Sequence, residues 1–130
     1  MTGNGMPTCM RLAAVALALF TVCGGAQAGE ANVVGVKVQA QGETYRFDVT
    51  VRHGDEGWDH YADRWVVVGD DGTVFGERVL LHPHVEEQPF TRSLSGVVIP
   101  EGVNSVAVRG HDKGHGFGGA EFTIDLNSAE

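Results

Sequence analysis

The feature that most constrains this chain is an alternation of apolar and polar residues with a period of two. In residues 45–52, Tyr45, Phe47, Val49 and Val51 alternate with charged and hydroxyl side chains. Successive side chains of a β-strand point to opposite faces, so this segment predicts a strand with one buried side and one side in water. Beyond residue 28, no stretch of ten or more residues has the 3.6-residue apolar spacing of a helix. The pattern therefore predicts an all-β fold.

Similar alternation, bounded by turn signals, predicts seven strands in all. They lie near residues 34–40, 45–52, 65–69, 74–81, 90–99, 103–110 and 121–126. This number of short strands favours a seven-stranded antiparallel sandwich of immunoglobulin or fibronectin type, with Trp65 in the core; a small β-barrel is the alternative. Asp70-Asp71-Gly72-Thr73 predicts a tight turn, and residues 57–63 predict one helical turn with Asp59 as its N-cap.

The first 28 residues have the layout of a secretory signal peptide. Arg11 precedes an apolar run at 12–22, and small residues at 26 and 28 provide a cleavage site. The run is too short for a membrane span, which needs about twenty apolar residues. We therefore expect cleavage after Ala28, export to the periplasm or the medium, and a single β-sandwich domain at 29–130. A lipid-modified Cys23 is the alternative, but Phe20-Thr21-Val22 lacks the leucine-like and small residues that usually precede such a cysteine.

Removal of this leader leaves an acidic domain without sulfur. Both cysteines and all three methionines lie in the leader, and eight basic against seventeen acidic residues follow it, for a net charge of −9. Nucleic acid is an unsuitable partner, because its binding depends on cationic neutralisation of phosphates. Disulfides and thiolate ligands are excluded from residues 29–130.

The histidines gather in three predicted loops. If consecutive strands alternate in direction, one end of the sandwich carries tight turns and the other carries loops 53–64, 82–89 and 111–120. All six histidines fall at that second end: His53, His60, His82, His84, His111 and His115. Imidazole is a common metal ligand. The distribution predicts a site for a divalent metal, and imidazole with carboxylate ligands suits Zn²⁺ or Cu²⁺ better than Cu⁺.

Within this set, His82-Pro83-His84 is the most suggestive unit. Proline biases His82 toward an extended conformation, so both imidazoles can project to the same side and chelate. The structural interpretation is a rigid loop whose histidines bond to backbone and carboxylates. Asp112 is interpreted either as a ligand or acceptor for an imidazole, or as an ordinary solvated turn aspartate.

A second interpretation assigns the same loops to protein recognition. Trp58, Tyr61 and Phe117, with the surrounding acids, would form an interaction module in which the histidines are structural. An enzyme is not expected, because the chain has no Gly-x-Ser-x-Gly elbow and residues 29–130 contain no cysteine nucleophile.

Three segments carry a resemblance to known proteins. The segments Gly54 to Trp65, His82 to Leu94 and His111 to Gly119 resemble a family of small exported bacterial proteins with no assigned activity. The resemblance implies an exported β-domain, and it implies no reaction, cofactor, partner or functional residue.

Overall fold

The computed structural model describes residues 30–129, and the predicted signal peptide and its processing sites lie outside this range. Seven strands and one short 3-10 helix at Leu126–Ser128 follow one another along the chain. The strands are β1 (Asn32–Gln41), β2 (Thr44–Arg52), β3 (Ala62–Val68), β4 (Val74–Val79), β5 (Phe90–Val97), β6 (Ser105–Asp112) and β7 (Phe122–Asp125).

The strands form two antiparallel sheets. One sheet has the order β1-β2-β5 and the other the order β4-β3-β6-β7, and the sheets do not close into a barrel. The prediction of an all-β, seven-stranded sandwich is confirmed, and the barrel alternative is wrong. Strand β4 pairs with β3. In immunoglobulin constant domains, by contrast, the fourth strand joins the sheet that contains the first, second and fifth strands.

The core lies between the sheets and follows the period-two pattern. On β2, Phe47, Val49 and Val51 are buried, and the intervening residues are partly exposed. Trp65 on β3 is fully buried, as expected for the core tryptophan. Phe90 on β5 packs into the same cluster. Burial of apolar surface at about 25 cal/mol per Å² is the main force holding such a domain together.

Two predicted turns had different outcomes. The turn after β3 is confirmed, since Gly72 N donates to Gly69 O and Gly69 N donates to Thr73 O. The helical turn predicted at 57–63 is wrong. Instead, a tight reversal joins Gly57 to His60, and Gly57 has a φ of 122°, which a helix does not permit.

The loops β2–β3, β4–β5 and β6–β7 contact one another at one end of the sandwich. Lys113 N donates to Tyr61 O, and His84 N donates to the Asp55 carboxylate. These bonds bring segments distant in sequence into one structure. Within residues 30–129 there is no helix of the length and apolarity that a membrane crossing would require.

Candidate metal centre

Asp112 is the centre of a cluster of histidines and carboxylates, and it lies at the end of β6. Val106, Val108, Gly110 and Asp112 alternate on the buried face of this strand, so the carboxylate points inward with the core residues. Ala62 at the start of β3 lies opposite Asp112 in the ladder. This register places the β2–β3 loop directly beside the carboxylate.

A tight turn fixes the orientation of Asp112. Its Oδ1 accepts hydrogen bonds from the backbone N–H groups of Gly114 and His115, and backbone bonds in both directions join Asp112 to Gly116. Gly116 has a φ of 74°, which suits glycine. Because Oδ1 is occupied by the turn, Oδ2 is left to face the histidines.

Three imidazole nitrogens surround Asp112 Oδ2. His53 Nε2 lies 2.7 Å from this oxygen, and His60 Nε2 and His115 Nδ1 each lie 3.1 Å from it. His60 Nε2 and His115 Nδ1 are 3.2 Å apart. We call these four residues, His53, His60, Asp112 and His115, the Asp112 cluster.

The carboxyl of Asp112 is held in its ionised form. Burial by itself would raise its pKa, but hydrogen bonds from the backbone and side chain of His115, from His53 and from the Gly114 backbone outweigh burial and lower the pKa to about 2. A fully buried, negatively charged oxygen therefore faces three imidazoles at neutral pH.

His53 continues the buried face of β2 by one step and lies between two carboxylates. Its Nε2 faces Asp112, and its Nδ1 makes a short hydrogen bond with Asp55 Oδ1. All three side chains have no exposure to solvent. His53 therefore bridges the two buried carboxylates through both of its ring nitrogens.

His60 is oriented by a carboxylate on its outer side. Its Nδ1 lies 2.8 Å from Glu56 Oε1, which selects the tautomer with a proton on Nδ1 and a lone pair on Nε2. Gly114 permits this packing, since a Cβ at that position would lie 3.2 Å from His60 Cδ2. A carboxylate bonded to the far nitrogen is the usual support of a histidine that ligates a metal.

The other three histidines lie outside the Asp112 cluster. The rings of His82 and His84 are close, with centroids 4.7 Å apart. His84 is buried against Phe90, and its Nε2 accepts from Arg92 at 2.8 Å. Burial, Arg92 and His82 together lower the pKa of His84. His84 therefore stays neutral, with Nε2 occupied by a cation, and the structure does not present this pair as a chelate.

His111 has a separate partner on the outer face of β6. Its Nδ1 bonds to Asp63 Oδ1 at 2.6 Å, and its ring packs on the edge of Phe117. Phe117 in turn lies beneath the guanidinium groups of Arg64 and Arg109. These contacts explain His111 as part of a packed surface group.

The interpretation of Asp112 as a solvated turn residue is wrong, because this residue is fully buried. Asp55 also belongs to the site, because its carboxylate binds His53, His84 N and Ala62 N. The available signal was the period-two pattern itself. When the period-two pattern is continued by two residues, His53 follows Val51 and Asp112 follows Gly110 on the inward faces of their strands.

Three donor atoms of His53, His60 and Asp112 lie within 4.8 Å of one another, so these residues could hold a metal ion. A second, tighter triangle replaces His53 with His115. Two ligands of a tetrahedral zinc ion with bonds of 2.0 to 2.1 Å are about 3.3 Å apart. The separations of 3.1 to 3.2 Å among His60, His115 and Asp112 match this value, whereas the 2.7 Å between His53 and Asp112 is that of a hydrogen bond. We therefore favour the second triangle.

Comparison with known proteins identifies a relative. The chain is 48% identical over 100 residues to a protein of Halomicrobium mukohataei named "Putative lipoprotein". No protein-family model matches the chain, and no solved structure matches it. The aligned region is 76% of this chain and 49% of the relative. The chain is thus a homologue of this protein and spans about half of its length.

Proposed function

We propose that this domain binds one divalent transition-metal ion, Zn²⁺ or Cu²⁺, through His60 Nε2, His115 Nδ1 and Asp112 Oδ2. The observation that carries the proposal is the triangle of these atoms, with sides of 3.1, 3.1 and 3.2 Å. An ion about 2.0 to 2.1 Å from all three atoms would lie just outside the plane of the triangle.

The arrangement of hydrogen-bond donors and acceptors supports a cation between His60, His115 and Asp112. Glu56 leaves a lone pair on His60 Nε2, and this lone pair faces the ionised Asp112 Oδ2. Two acceptors at this distance repel each other unless a proton or a metal ion lies between them. His115 can supply one proton from Nδ1, but a divalent ion satisfies all three atoms at once.

The ligand set suits the two proposed metals. Imidazole nitrogen and carboxylate oxygen bind Zn²⁺ and Cu²⁺, and residues 29–130 offer no thiolate or thioether. His53 would act from outside the coordination shell, since its hydrogen bond orients Asp112. His82, His84 and His111 are not ligands in this proposal, which is narrower than the six histidines predicted from the sequence.

The proposal describes a binding function without catalysis in an exported protein. The signal-peptide pattern supports export, and the name of the Halomicrobium relative suggests an exported or membrane-anchored protein. Release after cleavage at Ala28 would place the domain in the periplasm or the medium. A lipid on Cys23 would instead attach it to a membrane.

Protein recognition is the second candidate, and the exposed aromatic Trp58 favours it. Trp58 is 61% exposed, and its ring and that of Tyr61 form a T-shaped pair with centroids 5.6 Å apart. Phe117 is less suited to this role, since Arg64 and Arg109 cover its ring. The two candidates are compatible, because Trp58 and His60 belong to the same loop.

Equilibrium dialysis with metal analysis tests the proposal. We expect one Zn²⁺ or Cu²⁺ per wild-type chain and none in the double variant His60→Gln/His115→Gln, whose changes are at partly exposed positions. Asp112→Asn should also lose the ion. His82→Asn is the matched control and should bind as wild type. Unchanged binding in the double variant would overturn the proposal.

A further inference from the structure

The Asp112 cluster has one buried side and one side toward solvent. His53 closes the inner side, since its side chain has no exposure and its ring packs edge-on against His60 at 4.8 Å. The outer side carries His115, whose side chain is 46% exposed, and His60, whose side chain is 21% exposed. An ion held by the triangle would therefore be reachable from solvent.

The inner side does not supply a fourth ligand. His53 Nε2 is too close to Asp112 Oδ2 for both atoms to ligate one tetrahedral ion, and it is hydrogen-bonded to that oxygen. The remaining nitrogen of the ring is bonded to Asp55. Three protein ligands leave a position open, which is the arrangement of zinc sites that exchange an outside ligand.

The charges around the site decide which kind of ligand would fill this position. The carboxylates of Asp55, Glu56 and Asp112 surround the imidazoles of the site. The domain as a whole is also acidic, with Asp59 in the same loop as His60. The surrounding potential disfavours an anion and does not oppose a neutral donor.

We infer that the bound metal keeps one coordination position open on the His115 side, and that this position accepts a neutral nitrogen donor, such as the imidazole of a second protein, in preference to an anion. This inference rests on the proposed metal binding.

Visible spectroscopy of the Co²⁺-loaded protein tests the inference. We expect 4-methylimidazole to change the Co²⁺ absorption with 1:1 saturation while dialysis shows that the ion stays bound. Azide should require at least a ten-fold higher concentration. No spectral change with 4-methylimidazole, loss of Co²⁺ from the protein, or azide binding of equal strength would each overturn the inference.

A matched pair of variants tests how negative charge near the site affects anion binding. Asp59→Asn removes a negative charge from the loop of His60, and Asp70→Asn removes one from the turn after β3, at the opposite end of the sandwich. Azide affinity should rise about two-fold in the first variant only, the size expected for one exposed charge. Equal azide affinities in the two variants would overturn the preference for a neutral donor.

Failure of this inference is distinguishable from failure of the proposed function. If Co²⁺ gives no protein-dependent absorption in wild type, metal binding itself is refuted. If Co²⁺ binds but no added ligand changes its absorption spectrum, the metal site has no open coordination position. In that case the proposed metal binding stands and only the open position is refuted.

Discussion

His60 Nε2 lies 3.2 Å from His115 Nδ1, although 55 positions separate these residues in the chain. The contact exists because Ala62 on β3 pairs with Asp112 on β6, which brings the β2–β3 loop against the turn that follows β6. A metal ion at this point would connect two loops that are otherwise joined by hydrogen bonds.

Metal should stabilise the domain against heat at neutral pH. A ligand at one hundred times its Kd adds about 2.7 kcal/mol to the stability of the native state. For a domain of this size, that gain corresponds to a rise in Tm of roughly 10 °C or more. Because imidazole must lose its proton to ligate and its ordinary pKa is near 6.5, the gain should fade toward about pH 5.

Thermal melts with and without Zn²⁺ or Cu²⁺ measure this gain. The double variant His60→Gln/His115→Gln should show none of it, and His82→Asn should show all of it. A gain that survives in the double variant, or one that disappears in His82→Asn, would place the metal elsewhere.

Replacing His53 should cost more stability than replacing any other histidine. His53→Leu would leave the carboxylates of Asp55 and Asp112 buried without their shared hydrogen-bond partner. Removing the partner of a buried charge, here the ionised Asp112, typically costs about 3 to 5 kcal/mol. Urea unfolding in EDTA provides the measurement, and His82→Asn, at an exposed position, should stay within about 0.5 kcal/mol of wild type. A loss below about 1 kcal/mol for His53→Leu would contradict the buried hydrogen bonds of His53 with Asp55 and Asp112.

Asp112 should make the fold sensitive to acid. Its pKa falls from 3.8 to about 2 on folding, so its contribution is complete above about pH 4 and is lost as the pH falls through about 2. The shift corresponds to about 2 kcal/mol. Urea unfolding from pH 5 to pH 2 should therefore show a drop about 2 kcal/mol larger in wild type than in Asp112→Asn. Equal drops in the two proteins would mean that Asp112 has an ordinary pKa.

The strands were predictable because their information is local. On β2, the alternation of Phe47, Val49 and Val51 with polar residues identifies both the strand and its buried face. The turn at Asp70–Thr73 is likewise predicted by four adjacent residues.

The site was only partly predictable because it depends on pairing between distant strands. The alternating directions of the strands place all six histidines at one end, but they do not distinguish His60 and His115 from His82 and His84. That distinction comes from the β3–β6 register and from Arg92, which occupies His84 Nε2. The helical turn expected at 57–63 failed because Gly57 adopts a positive φ and starts a reversal.

Processing of the leader is expected to leave Gly29 as the first residue. Ala26 and Ala28 supply the small residues that signal peptidase requires. Intact-mass measurement of the exported protein should give the mass of residues 29–130. A mass that includes diacylglycerol on Cys23 would show the lipid-modified form instead, in keeping with the name of the Halomicrobium relative.

The most direct test of the central claim is a crystal structure of the protein grown with Zn²⁺, with anomalous diffraction recorded at the zinc edge. The account predicts one anomalous peak about 2.0 to 2.2 Å from His60 Nε2, His115 Nδ1 and Asp112 Oδ2, with His53 still bonded to Asp112. A peak between His82 and His84, or no peak at the Asp112 cluster in protein saturated with Zn²⁺, would contradict it.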